Sequence, residues 1–151
     1  MKEPDSSWTV GSNAIKFYPW CLGEKQDFQG NHYTQNQTDK DFEFHSLSDI
    51  KFALNHSTIS LLKMDIEGFE WDILQNDILK GPKDALPEQL LFELHTQGAL
   101  PQYVPSHLVE GKTRQVVSKF FLDLYEIGYR ITNFELNAND KYCAEFALLK
   151  I

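Results

Sequence analysis

The sequence is short of several things that would place it quickly. Among 151 residues there are two cysteines, Cys21 and Cys143, with no CxxC pair and no Cys/His spacing of the kind that holds zinc. Two isolated thiols do not identify a redox compartment. No apolar run approaches the roughly 18 residues a membrane-spanning helix needs, and no apolar signal-peptide core follows Lys2. Positive charge is scarce: 14 Lys and Arg face 22 Asp and Glu, a formal net charge of −8. That balance argues against a nucleic-acid partner, whose phosphates select for basic patches. No glycine-rich GxGxG phosphate loop, internal repeat or low-complexity tract occurs.

What is present is ordinary globular material, 42% hydrophobic and 24% charged, with eleven Phe, six Tyr and three Trp as bulky core residues. The length suits a single domain over residues 1–151, with 1–14 as an irregular entry. Ile15 to Leu22 reads as a strand with Pro19 marking an end, edge or bulge. Residues 23–41 have loop composition, and Phe42-Glu43-Phe44 is a short candidate strand. Ser46 or Ser48 caps a helix whose stripe is Leu47, Ile50, Ala53 and Leu54. Ile59 to Ile66 reads as a strand apolar on both faces, the pattern of a central strand in a covered parallel sheet. A helix from Phe69 to Leu79 stops at Gly81-Pro82. Leu90 to His95 is a second apolar strand. Thr113 opens a helix with Val116, Val117, Phe120, Phe121, Leu124 and Ile127 on one side, ended by Gly128. Tyr129–Leu136 and Tyr142–Lys150, separated by Asn137-Ala138-Asn139-Asp140, form a closing hairpin. Strands alternating with helices define an α/β domain, largely parallel, with at least one antiparallel strand.

The stretch LLKMDIEGFEW, Leu61 to Trp71, is where chemistry is expected. Ligands of open α/β sheets bind beyond the carboxyl ends of the strands. Asp65 falls at such an end, and Glu67 and Gly68 fall on the following turn. Gly68 would admit a backbone conformation closed to other residues. Glu67 and Glu70, beside a helix start, also suit its dipole with no further role. A carboxylate at the tip of a buried strand must face a cleft or find a partner, which marks Asp65 as the stronger candidate.

LLKMDIEGFEWDIL resembles the fourth-strand motif of the FkbM-type methyltransferases, Asp-x-Glu-Gly-x-Glu after an apolar strand. With Trp71 following Glu70 it is similar to the methyltransferase-like protein 24 group. NAIKFYPWCLGEKQDF resembles that family's third strand and exit loop, EQLLFELH its fifth strand, and FFLDLYEIGYRITNFE with KYCAEFALLK its last helix and final strand pair. The resemblance implies a partial Rossmann-like methyltransferase sheet, family strands three to seven of the order 3-2-1-4-5-7-6, mostly parallel with a C-terminal antiparallel hairpin. It implies S-adenosylmethionine as cofactor. Asp65, Glu67 and Gly68 would lie on the cofactor side, and Asp65, Glu93 and His95 would be the catalytic candidates. His95 is the natural general base, or simply a polar strand tip. No metal ligand is assigned. Asp65, Glu67, Glu93 and His95 have the chemistry to gather a divalent ion, but carboxylates this close also occur without one.

The family's glycine loop and ribose-binding acid have no counterpart here; Glu3-Pro4-Asp5-Ser6-Ser7 only faintly resembles the Asp-Pro-Ser that follows its second strand. The expectation is therefore the C-terminal part of a class I methyltransferase, weakly active or inactive in isolation, acting with a small-molecule, lipid or sugar acceptor. A non-catalytic interaction module derived from such a domain is the alternative, and another Rossmann-type enzyme is disfavoured for want of a phosphate loop. With the first two strands absent, the Leu61–Ile66 strand would present an apolar edge open to self-association. Cys21 and Cys143, near opposite edges of the sheet, should not pair.

Overall fold

The computed structural model describes residues 6–10, 13–23 and 43–151. The loop read over residues 23–41 lies almost wholly outside them, as does Glu3-Pro4-Asp5. β1 (Ser6–Val10) pairs antiparallel with β2 (Asn13–Phe17). The stretch read as an irregular entry thus carries a hairpin. Its signal was available: Gly11-Ser12 is a two-residue Gly-Ser connection between β-forming runs. The chain then breaks at Tyr18-Pro19, where proline has no N–H to give a ladder. β3 (Trp20–Leu22) follows and pairs in parallel with β4 (Glu43–His45).

Ser46 caps α1 (Leu47–Ala53) with a full capping box, its Oγ accepting from Asp49 N while Asp49 accepts from Ser46 N. Leu47 turns inward, and Phe52, which falls off the stripe, is exposed. β5 (Leu61–Met64) leads into α2 (Glu70–Ile73), which continues as a π-helical stretch over Leu74–Leu79. β6 (Gln89–His95), the short α3 (Ser106–Val109), α4 (Arg114–Glu126), β7 (Tyr129–Leu136) and β8 (Cys143–Lys150) complete the described chain. No helix among the described residues is long and apolar enough to cross a membrane.

The main sheet runs β5-β6-β8-β7. β5 and β6 are parallel, while β8 lies between β6 and β7 and opposes both. This is the 4-5-7-6 half of the expected order in an α/β domain. Antiparallel pairs outnumber parallel ones within these four strands, because the inserted β8 opposes both its neighbours. β5 pairs only with β6 among the described residues. It is an outer strand of this sheet rather than a central one, and Leu61 is half exposed.

Strand alternation sends Leu90, Phe92 and Leu94 to the helical side. There Phe92 meets Phe120, Phe121 and Phe146, and Trp71 packs on Phe120 at 5.2 Å between centroids. The α4 stripe is the one read from the sequence: Phe120 and Leu124 are buried, with Val116, Val117, Phe121 and Ile127 packed beside them. Cys21 and Cys143 are both free.

Tyr129 is 1% exposed and donates its hydroxyl to the Pro87 carbonyl at 2.5 Å. Tyr129→Phe leaves that carbonyl unsatisfied and is expected to cost about 1–3 kcal/mol, read as a lower urea midpoint at unchanged slope.

Candidate functional site

β5 ends at Met64, which is buried, and the chain then makes a tight turn into α2. Two consecutive residues of that turn take left-handed backbone, Glu67 at φ 57° and Gly68 at φ 100°. For Gly68 this conformation is free, and a Cβ there would also lie 2.8 Å from Val104 Cγ1. For Glu67 it costs roughly 1–2 kcal/mol, so something must hold it. The holder is Glu70. Its side chain has no solvent exposure and accepts from Ile66 N at 2.6 Å and from Gly68 N at 2.8 Å. One carboxylate thereby ties the first residue of α2 back across the turn that precedes it.

The next strand supplies the other wall. His95, at the tip of β6, is 4% exposed, and its carbonyl accepts from Trp71 Nε1 at 2.7 Å. Its Nδ1 faces Glu70 Oε2 at 3.9 Å, an ion-pair distance with no direct hydrogen bond. On the other side Nε2 lies 3.5 Å from Glu93 Oε2 and 3.6 Å from Glu67 Oε2. Glu93 is 8% exposed and its Oε1 accepts from Asn137 Nδ2 at 3.2 Å. The register of β6 on β8 sets His95 opposite Cys143 and Glu93 opposite Glu145. The β8–β7 register continues that row to Glu135.

So many carboxylates around one imidazole move each other's proton affinities. Burial opposes charge on His95, but Glu70, Glu93 and Glu67 outweigh it and hold its pKa above the ordinary value. Burial also pushes Glu93 up, yet hydrogen bonds from Cys143 and Asn137, the His95 charge and a bond with Asp65 bring it below the usual range. Asp65 is raised, by desolvation first and then by Glu93. Glu67 is raised by desolvation, partly offset by His95. Burial drives the Cys143 thiol far up.

Of the residues singled out in the sequence, Asp65, Glu67, Gly68, Glu93 and His95 therefore meet at the carboxyl ends of β5 and β6. Asp65 is exposed rather than enclosed, and reaches the cluster through Glu93. The enclosed carboxylate is Glu70, whose helix-start position suits a dipole partner equally well. Its signal was the acid two residues after Gly68, positioned to cap the turn's own N–H groups. Cys143 and Asn137 were not foreseen at the site. They arrive through strand register, 48 and 42 residues beyond His95 in the chain, and no local pattern marks them.

A family model described as a methyltransferase domain matches residues 5–150. The chain belongs to that methyltransferase family. Among curated proteins none matches the sequence. Among solved structures, the methyltransferase domain is similar to the fibrillarin pre-rRNA processing protein of Methanococcus jannaschii, with 11% identity and a TM-score of 0.45. The match covers 74% of this chain and 46% of that one, so the chain spans less than half the length of that protein.

Urea denaturation of three variants tests the geometry of the methyltransferase domain. Glu70→Gln keeps the shape but presents an amide N–H₂ to one of two backbone donors; it is expected to lose about 1.5–3 kcal/mol in urea denaturation. Asp65→Asn, at an exposed position, should stay within about 0.5 kcal/mol. A His95 pKa raised by folding means its ion pairs stabilise fully below the unfolded value near 6.5 and fade as pH rises through the folded value. The urea midpoint should accordingly decline across that window in wild type, and His95→Gln should flatten the decline. An unchanged slope in the variant contradicts the assignment.

Proposed function

We propose that this chain carries the second half of a class I S-adenosylmethionine-dependent methyltransferase sheet, of the FkbM type, and that the turn Asp65–Gly68 with His95 and Glu93 forms the methyl-transfer end of its site. The observation that carries the reading is the convergence of these side chains at adjacent strand tips, within a chain matched to a methyltransferase domain over residues 5–150. Methyl transfer is a displacement at a sulfonium centre, promoted chiefly by holding donor and acceptor in line. A cluster of carboxylates suits the cationic sulfonium and ammonium groups of the donor. Asp65 and Glu67 would orient that end, with the Gly68 backbone open to close approach. His95 and Glu93 would take the proton of an acceptor hydroxyl or amine. The acceptor would be a small molecule, lipid or sugar.

The sequence holds no GxGxG loop, which supplies most of the grip on the nucleoside in this family. Binding of the donor by this chain alone is therefore weak, and activity low. Amide chemical-shift mapping with S-adenosylmethionine at millimolar concentration tests the reading. Perturbations should centre on Asp65–Gly68 and the His95 tip, and Glu67→Lys should abolish them. Shifts confined elsewhere, or none at all, contradict it.

A second reading, an interaction module, is favoured by one feature: β5 has no partner on its outer edge among the described residues, with Leu61 half exposed there. Pairing of two such edges would join two copies of the chain.

A further inference from the structure

The cross-strand pairing of His95 with Cys143 brings a thiol to an imidazole whose Nε2 already faces two carboxylates. We propose that His95 Nε2, Cys143 Sγ and Glu93 Oε2 form a binding site for a borderline transition metal of the Zn²⁺ class. The three residues are 4%, 3% and 8% exposed, and their ligating atoms lie within 4.8 Å of one another. The site sits at the strand tips of the proposed methyl-transfer centre and uses the same His95 and Glu93 side chains, so a bound metal ion would displace their proton-accepting role. The proposal rests on the geometry of the three ligands and not on that reading.

The imidazole is the first reason. His95 Nδ1 is buried without a hydrogen-bond partner and looks toward Glu70, while Nε2 looks toward Glu93 and Glu67. Carboxylates only accept, so Nε2 must offer them either an N–H or a bound metal ion. A proton on Nε2 satisfies the imidazole and leaves the thiol as a neutral donor to Glu93. A metal uses both. Imidazole, thiol and carboxylate together are the donor set of zinc rather than of magnesium or calcium, which take oxygen alone.

The surroundings already supply the outer partners that a metal site needs. Metal-bound histidines usually turn their other nitrogen to a carboxylate, and here Glu70 stands behind Nδ1. Asn137 Nδ2 donates to Glu93 Oε1, leaving Oε2, the oxygen facing His95, for the metal. The same amide points to Cys143 Sγ at 3.9 Å. Metal–ligand bonds of about 2.0–2.3 Å imply ligand separations of roughly 3.3–3.8 Å, so the side chains draw in by about 1 Å on binding. Cys143 gives its proton to solvent as the thiolate forms, and the fourth position falls to Glu67 or to water. Sequence spacing does not reveal this site, since Glu93 and His95 sit two apart and Cys143 lies on another strand.

Titration of the full chain with Co²⁺ after chelator treatment tests the proposal, with S-adenosylmethionine absent so that either reading can fail alone. One equivalent should bind, giving intense visible bands of tetrahedral cobalt and a near-ultraviolet thiolate-to-cobalt band, both displaced by Zn²⁺. Cys143→Ser, shown folded by circular dichroism, should lose the thiolate band and bind more than about tenfold more weakly. His107→Ala, at an exposed histidine, should match wild type. Absence of stoichiometric binding by wild type, a six-coordinate spectrum without a thiolate band, or a band that survives in Cys143→Ser overturns the site.

Discussion

The carboxylate of Glu70 is the constraint on which the rest of the site depends. It is excluded from water, and a buried carboxylate is tolerated only where donors replace its hydration. Here the donors are the backbone N–H groups of Ile66 and Gly68, two links of the turn that joins β5 to α2. Holding both at once fixes the left-handed pair Glu67-Gly68, and with it the direction in which Glu67 leaves the chain. The same carboxylate faces His95 from behind. Strand tip, turn, helix start and imidazole thus share one anchor.

The sheet beneath that anchor has two chemically opposite faces, and alternation along β6 produces both. Phe92 lies in register with Phe146, and Phe146 with Phe134, an aromatic row that α4 covers with Phe120 and Phe121. One residue along, Glu93, Glu145 and Glu135 line up on the other face. Like charges placed directly opposite each other on adjacent strands are unfavourable. Burial and Glu93 together hold Glu145 above the usual carboxylate range. A stripe of acids on neighbouring strands is a costly arrangement for a purely structural sheet, and it is suited to a site that receives positive charge.

Most of the main sheet could be read from the chain itself. The α4 stripe, the Gly81-Pro82 stop and the closing hairpin are local patterns, and each appears where its pattern placed it. The DIEGFE turn was legible as a place where acids gather at a strand tip because it follows an apolar strand. The rank of its members was not. Asp65 looked like the enclosed acid, whereas Glu70 is, since the turn folds back on its own helix rather than projecting into a cleft. β5 has the apolar composition of a central strand in Leu61, Leu62 and Met64, yet it lies at the edge of this sheet among the described residues, as expected for a chain without the first two strands. Cys143 and Asn137 depend on which strand inserts beside β6, a tertiary fact with no local sequence signal.

Amide hydrogen exchange at Ile66 and Gly68 tests the anchor most directly. Both residues sit in a turn outside any strand or helix, so among the described residues Glu70 is the acceptor that protects their N–H groups. These two amides are expected to exchange as slowly as those of the core strands β6 and β8 at neutral pH. Exchange at the rate of an open loop would mean that the carboxylate does not hold the turn, and the site built around it would lose its foundation.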